Sequence, residues 1–240
     1  MKKETLMRHF TEWLKHNRTH KQNYPFVFML SMFALMLFFP VFTKTNTAKL
    51  ALCTMFTLVI ITSFLSVRRN RIFIASVLIL AVPLLILAWL DCIANIEHPA
   101  SDIAQAIMLC FFFVLLFSIT VYKIVSESHA VTKHTIFNAI SAYLLLGLFF
   151  AGIYAVLALC GVKVFSIEST QNTTNLHDVW DISAYFSYCS LTTLGLGDVT
   201  PASPVSRSLT TIESVIGPLY LSILIARLVS TYKNSHKNQD

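Results

Sequence analysis

Five stretches of the chain, 22–43, 50–67, 72–90, 103–122 and 134–162, contain no lysine, arginine, aspartate or glutamate. Coiled as a helix, each is long enough to cross a hydrocarbon core of about 30 Å, which takes ~20 residues. Backbone polar groups in a bilayer must be satisfied without water, and a helix does this within one segment. The composition agrees. Hydrophobic residues make up 55% of the chain, charged residues 12%, and mean hydropathy is +0.66, where soluble domains carry about 25% charged residues. The sequence is that of an all-α integral membrane protein.

Residues 1–24, "MKKETLMRHFTEWLKHNRTHKQNY", are polar and basic. No small-residue cleavage site follows the first apolar run, so they do not read as a cleavable signal. A basic strip lying on the membrane surface fits them, and a solvated cytoplasmic arm is the simpler reading.

After residue 162 the pattern changes. An uncharged run over 182–197 is only 16 residues long, too short to span, and a longer apolar stretch from about Ser206 to Thr231 carries Glu213 and Arg227. The expected plan is six transmembrane helices, near 25–43, 49–67, 72–90, 103–123, 137–160 and 206–231, with a re-entrant segment between the fifth and sixth. Cytoplasmic loops hold the excess of lysine and arginine. With the N-terminus inside, fourteen of these residues fall inside and four outside, and eight of the twelve acids fall outside. Both termini are then cytoplasmic, in a plasma or bacterial inner membrane. The net charge of +6 is mostly this topology signal, with some attraction to anionic inner-leaflet lipids. Nothing interleaves basic and aromatic residues as a nucleic-acid groove does.

The half-length segment ends in "LTTLGLGDVTP", 191–201, which holds two of the chain's six glycines. Non-helical backbone at membrane depth is tolerated where it is buried in protein or lines water. A dehydrated cation needs replacement oxygens, and backbone carbonyls supply them when they point one way. Uniform backbone does not achieve that. Glycine reaches left-handed conformations without steric cost, so Gly195 and Gly197, alternating with Leu194 and Leu196, suit the task. The Thr193 hydroxyl adds a further oxygen. A short helix from about Trp180 to Thr192 would aim its negative end at the cavity, with Asp181 in its first turn. A plain turn is the bland alternative for a lone Gly-x-Gly. The half-length helix before it, the threonine pair, Asp198 and the final span argue against that.

At "TTLGLGD", 192–198, the sequence resembles a potassium channel of the tetrameric, voltage-gated-like cation-channel superfamily. The likeness runs from Ala139 to about Val229 and implies a two-helix pore module in a homotetramer, since each chain has one filter. It implies that Thr193, Leu194, Gly195, Leu196 and Gly197 form the ion-coordinating filter, with K+ the permeant ion and no cofactor. Thr192 and Cys189 would support the filter, Asp198 would stand at its outer mouth, and Tyr185 and Phe186 would form an aromatic cuff. Leu196 stands where many such filters carry tyrosine or phenylalanine, which removes an aromatic anchor; leucine occurs in some two-pore-domain relatives. Cys189 replaces a glutamate found in some relatives. Gly217 falls where many relatives place a hinge, and Pro218 beside it removes a helix hydrogen bond. A moving hinge, a static kink and a small residue for close packing all fit. Leu221, Ile225 and Val229 recur on one helical face, as an apolar gate or as ordinary packing.

The domains expected are the arm (1–24), a four-helix sensor-like bundle (25–125), a cytoplasmic linker (126–136), the pore domain (137–231) and a short tail (232–240). Voltage sensing needs several basic residues along one helix. The fourth span has only Lys123, at its inner end, so steep voltage gating is not expected. The tail leaves no room for a separate ligand-binding domain on this chain. Five cysteines lack metal spacing; a Cys92–Cys160 disulfide and two free thiols both fit. Asn172 begins a glycosylation acceptor, and His177 is a loop histidine near the pore entrance. No nucleophile–base pair or zinc motif points to an enzyme. Glu213 is expected to brace the pore helix rather than touch ions. A potassium-selective channel leads; a weakly selective cation channel and a non-conducting regulatory subunit are the alternatives.

Overall fold

A computed structural model describes residues 24–38, 46–67, 71–94, 99–126, 133–167 and 176–237. The helices in chain order are α1 (Tyr24–Phe38), α2 (Asn46–Val67), α3 (Arg71–Ala94), α4 (Pro99–Ser126) and α5 (Lys133–Leu159). Strand β1 (Phe165–Ile167), α6 (Leu176–Leu191), β2 (Val199–Pro201) and α7 (Pro204–Lys237) follow. Among the described residues four helices are long and apolar enough to cross a bilayer, over Phe73–Leu90, Ala100–Ser126, Lys133–Leu159 and Pro204–Ser230. Shorter apolar stretches, Tyr24–Met36 and Phe56–Leu65, lie in α1 and α2. The N-terminal arm, the Cys92 side chain, Asn172 and the His177 side chain lie outside the described residues.

Helices α1 to α4 pack in chain order, and α5 touches α1, α4, α6 and α7. Small side chains make α5 a hub: Ala139, Ala142, Ala151 and Ala155 are fully buried, which lets neighbouring backbones approach. Buried hydroxyls of α1 and α2 are paired across the two helices. Ser31 of α1 meets Thr62 of α2 at 3.0 Å, and each hydroxyl also bonds a carbonyl of its own helix. Aromatic contacts join the remaining layers, Phe56 with Phe113 at 6.3 Å and Phe73 with Tyr122 at 5.5 Å. The last helix, α7, is anchored towards its C-terminal end as well. Arg227 Nη2 donates to the carbonyls of Ile124 (2.7 Å) and Val125 (3.2 Å) in the last turn of α4, where carbonyls lack intrahelical partners.

Two expectations need correction. The chain is not purely helical: β1 and β2 pair antiparallel, with Phe165 opposite Pro201, Ser166 opposite Thr200 and Ile167 opposite Val199. Ala202 N–H extends the pairing to the Val164 carbonyl at 2.9 Å. The ladder satisfies backbone that would otherwise be stranded before α6 and after the segment that follows it. The short helix α6 also begins at Leu176, so Asp181 stands in its second turn rather than its first. No helix breaker lies between Leu176 and Asp181, and the helix extends upstream through them.

The start of α7 is set locally. Ser203 N–H donates to Ser206 Oγ (3.0 Å) and Ser206 N–H to Ser203 Oγ (3.2 Å), a reciprocal cap with Pro204 at the first helical position. We expect Ser203→Ala to lower stability by about 1 kcal/mol, read as a lower thermal unfolding midpoint in detergent. An unchanged midpoint would mean that the cap contributes nothing.

Candidate functional site: the segment between α6 and α7

The end of α6 is built by its own hydrogen bonds. Leu194 N–H reaches back to the Cys189 carbonyl (2.9 Å) and Thr193 N–H to the Ser190 carbonyl (3.1 Å). This paired closure is the Schellman cap, which requires a left-handed residue where Thr193 stands. Thr193 has φ 58°. Glycine normally takes that position, and a β-branched residue there is strained by about 1–2 kcal/mol. Its hydroxyl donates to the Thr192 carbonyl at 2.7 Å, and the Thr192 hydroxyl donates to the Tyr188 carbonyl at 2.7 Å.

Beyond the cap the backbone alternates in hand. Gly195 has φ 60° and Gly197 φ 83°, while Leu194 and Leu196 between them are not left-handed. Every second residue from Thr193 to Gly197 is thus left-handed, the pattern that lets successive carbonyls face one side. Among the described residues, the backbone groups of Gly195, Leu196 and Gly197 take part in no hydrogen bond. Leu194 and Leu196 are 60% and 61% exposed in the single chain.

The surrounding elements hold this segment from behind. Tyr185 OH donates to Asp198 Oδ2 at 2.7 Å, tying the segment's C-terminal end to α6. That hydrogen bond, with a smaller contribution from lost hydration, pushes the Tyr185 phenol above its ordinary range. The Cys189 thiol lies beside Tyr185. Phe186 is buried and meets Tyr154 edge-on at 5.1 Å and Phe165 at 5.2 Å, joining α6 to α5 and β1. Trp180 stacks on Phe113 of α4 at 6.0 Å. Tyr188 OH donates to the Leu144 carbonyl at 2.9 Å, and Tyr143 OH to the Leu191 carbonyl at 3.2 Å. Glu213 is fully buried; its carboxyl lies 2.5 Å from Ser187 Oγ and accepts from Tyr154 OH at 2.8 Å. Sequence reading placed the glycines, Asp198, Tyr185, Phe186 and Glu213 in this neighbourhood. It missed Trp180, Tyr143, Tyr154, Ser187 and Tyr188, whose partners stand dozens of residues away.

Along α7, Gly217 is buried where a β-carbon would overlap the Leu191 carbonyl oxygen. Its bare backbone therefore has a packing reason, independent of any hinge. Pro218 is exposed on the same helix, as are Leu221, Ile225 and Val229. One turn below Gly217, Tyr220 OH donates to the Ala139 carbonyl at 2.8 Å. We expect Gly217→Ala to force α7 away from the end of α6, a destabilisation of about 1–3 kcal/mol typical of overpacking. Thermal unfolding in detergent reads it; a midpoint equal to that of the unaltered chain would exclude this contact.

The family model described as "Ion channel" matches residues 142–234, which take in most of α5, all of α6 and most of α7. The chain is similar to "Protein LctB" of Bacillus caldotenax, 30% identical over 105 residues, covering 44% of this chain and 78% of that protein. No solved structure matches it. Apolar helices of spanning length, a half-length helix closed on an alternating backbone, and these two matches coincide on the same stretch: the chain is an integral membrane protein of the ion-channel family, whose members conduct ions passively.

Proposed function

We propose that the protein is a potassium-selective channel, assembled as a homotetramer around one carbonyl-lined filter. The observation that carries this reading is the alternating hand of the backbone at Thr193, Gly195 and Gly197. It follows a helix whose negative end points into the segment, and the backbone groups of Gly195 to Gly197 have no partner within the described chain. Carbonyls of Thr193, Leu194, Gly195 and Leu196 take the place of the ion's water, and Gly197 closes the row before Asp198. One chain supplies one wall of such a site, so four copies complete it. The exposure of Leu194 and Leu196 supports this, because apolar side chains behind a filter need a neighbouring copy to cover them.

The subunit has six spans with both termini cytoplasmic. Helices α1 and α2 serve as the first two, and α6 enters and leaves from the outer side. Basic loops face the anionic inner leaflet. The four-helix bundle is a scaffold rather than a steep voltage sensor, since α4 has one basic residue, Lys123, near its end. Leu221, Ile225 and Val229 form an apolar ring at the inner mouth, and Pro218 supplies the bend that sets its width. Leu196 favours a second reading, a weakly selective cation pore, because leucine offers no hydrogen bond to hold the filter's diameter.

The test is reconstitution into potassium-loaded liposomes with reversal potentials measured under potassium and sodium gradients. A reversal near the potassium potential, lost in Gly195→Ala, is the expected result. Retained flux that reverses near zero establishes the weakly selective pore and directs attention to Leu196. No flux from a protein that stays assembled in detergent overturns conduction and leaves a silent subunit.

A further inference from the structure

The Glu213 carboxyl sits where α5, α6 and α7 meet, and the hydrogens around it can be counted. Ser187 Oγ is 2.7 Å from the Gly147 carbonyl and 2.5 Å from Glu213 Oε1. A carbonyl oxygen only accepts, and a serine hydroxyl has one hydrogen. That hydrogen belongs to Gly147. The short contact between Ser187 and Glu213 then needs its hydrogen from the carboxyl. On the other oxygen, Tyr154 OH lies 2.8 Å from Glu213 Oε2 and 3.3 Å from Thr210 Oγ1. Thr210 gives its own hydrogen to the Ser206 carbonyl at 2.8 Å, so the contact with Tyr154 draws nothing from Thr210. The phenol's hydrogen goes to the nearer acceptor, Glu213.

We infer that Glu213 works as a neutral carboxylic acid, a positioning residue whose own proton locks the pore helix to the helices on either side. The chain of donors runs Glu213 to Ser187 to Gly147, with Tyr154 donating into its start. Ionisation removes the one hydrogen between Glu213 and Ser187, or takes the serine hydrogen away from Gly147. Either change frees α6 from α5 or α7 six residues before Thr193. The environment favours the neutral form. Glu213 is 0% exposed, and an unpaired buried carboxylate is strongly disfavoured. The titratable groups facing it are the phenols of Tyr143 and Tyr154 on α5 and Tyr188 on α6. Among the described residues no lysine, arginine or histidine pairs with it, from α7 or from any other element. A permanently neutral side chain of the same shape can do the same work: glutamine donates from its nitrogen and accepts on its oxygen.

The consequence for conduction rests on the pore reading above; the protonation state does not. The full chain in lipid, measured by infrared difference spectroscopy against Glu213→Gln at neutral pH, is expected to show the carbonyl stretch of a protonated carboxyl. A difference spectrum with only carboxylate bands overturns the inference whether or not the protein conducts. In potassium-loaded liposomes, flux through the unaltered protein is expected to fall as pH is raised, and flux through Glu213→Gln to persist without that fall. Glu213→Ala loses two hydrogen bonds and is expected to reduce flux at least about tenfold. A glutamine variant as impaired as the alanine one, beside an aspartate variant that still conducts, also overturns it.

Discussion

Four tyrosine phenols tie α5, α6 and α7 together, three by donating to backbone carbonyls, of which Leu191 stands at the open end of a helix, and one by donating to a buried carboxyl. Tyr143 gives its phenol hydrogen to Leu191 at the open end of α6, and Tyr188 gives its own to Leu144 on α5. Tyr220 gives its hydrogen to Ala139, and Tyr154 completes the Glu213 carboxyl. Phenols suit the task because one end is apolar and the other a single directed donor. Four such bonds, with the contacts of Ser187 to Gly147 and Glu213, bind three helices. The helix α6 is too short to span, and two of these bonds fasten it to α5.

Order and strain meet at Thr193. The same residue closes α6 and opens the alternating segment, and it does so in a conformation that threonine adopts reluctantly. Such strain persists only where the surroundings over-determine it. Here the cap bonds fix one side, while the β1–β2 pairing and the Tyr185–Asp198 bond fix the other. The segment is suspended between two rigid supports, and its own backbone groups remain available.

Much of this was legible from residues alone, for identifiable reasons. Uncharged runs mark helices because the bilayer leaves the backbone no other arrangement, and α1 to α5 lie close to the five runs that announced them. The left-handed positions at Gly195 and Gly197 follow from glycine's lack of a β-carbon. Thr193 gave no such sign, because its conformation is imposed by the cap rather than permitted by its side chain. The strands escaped notice at three residues each, although the alternating "VKVFSI" run was a usable clue. The tyrosine and serine anchors could not be seen locally. Their partners lie 40 to 81 positions away, and only the assembled helices bring them together. Gly217 belongs to the same class: its need for an absent side chain comes from Leu191, not from its own helix.

The guanidinium of Arg227 has a mechanical meaning. It grips the backbone at the end of α4 directly. The lower end of α7 and the lower end of the bundle therefore behave as links in one linkage. An outward swing of α7 either carries α4 with it or breaks charge-assisted bonds worth about 1.5–3 kcal/mol. That is a bias of roughly ten- to hundredfold against independent movement, and it compounds with each additional copy in an assembly. Movement of the C-terminal half of α7 is thereby coupled, through α4, to the rest of the four-helix bundle.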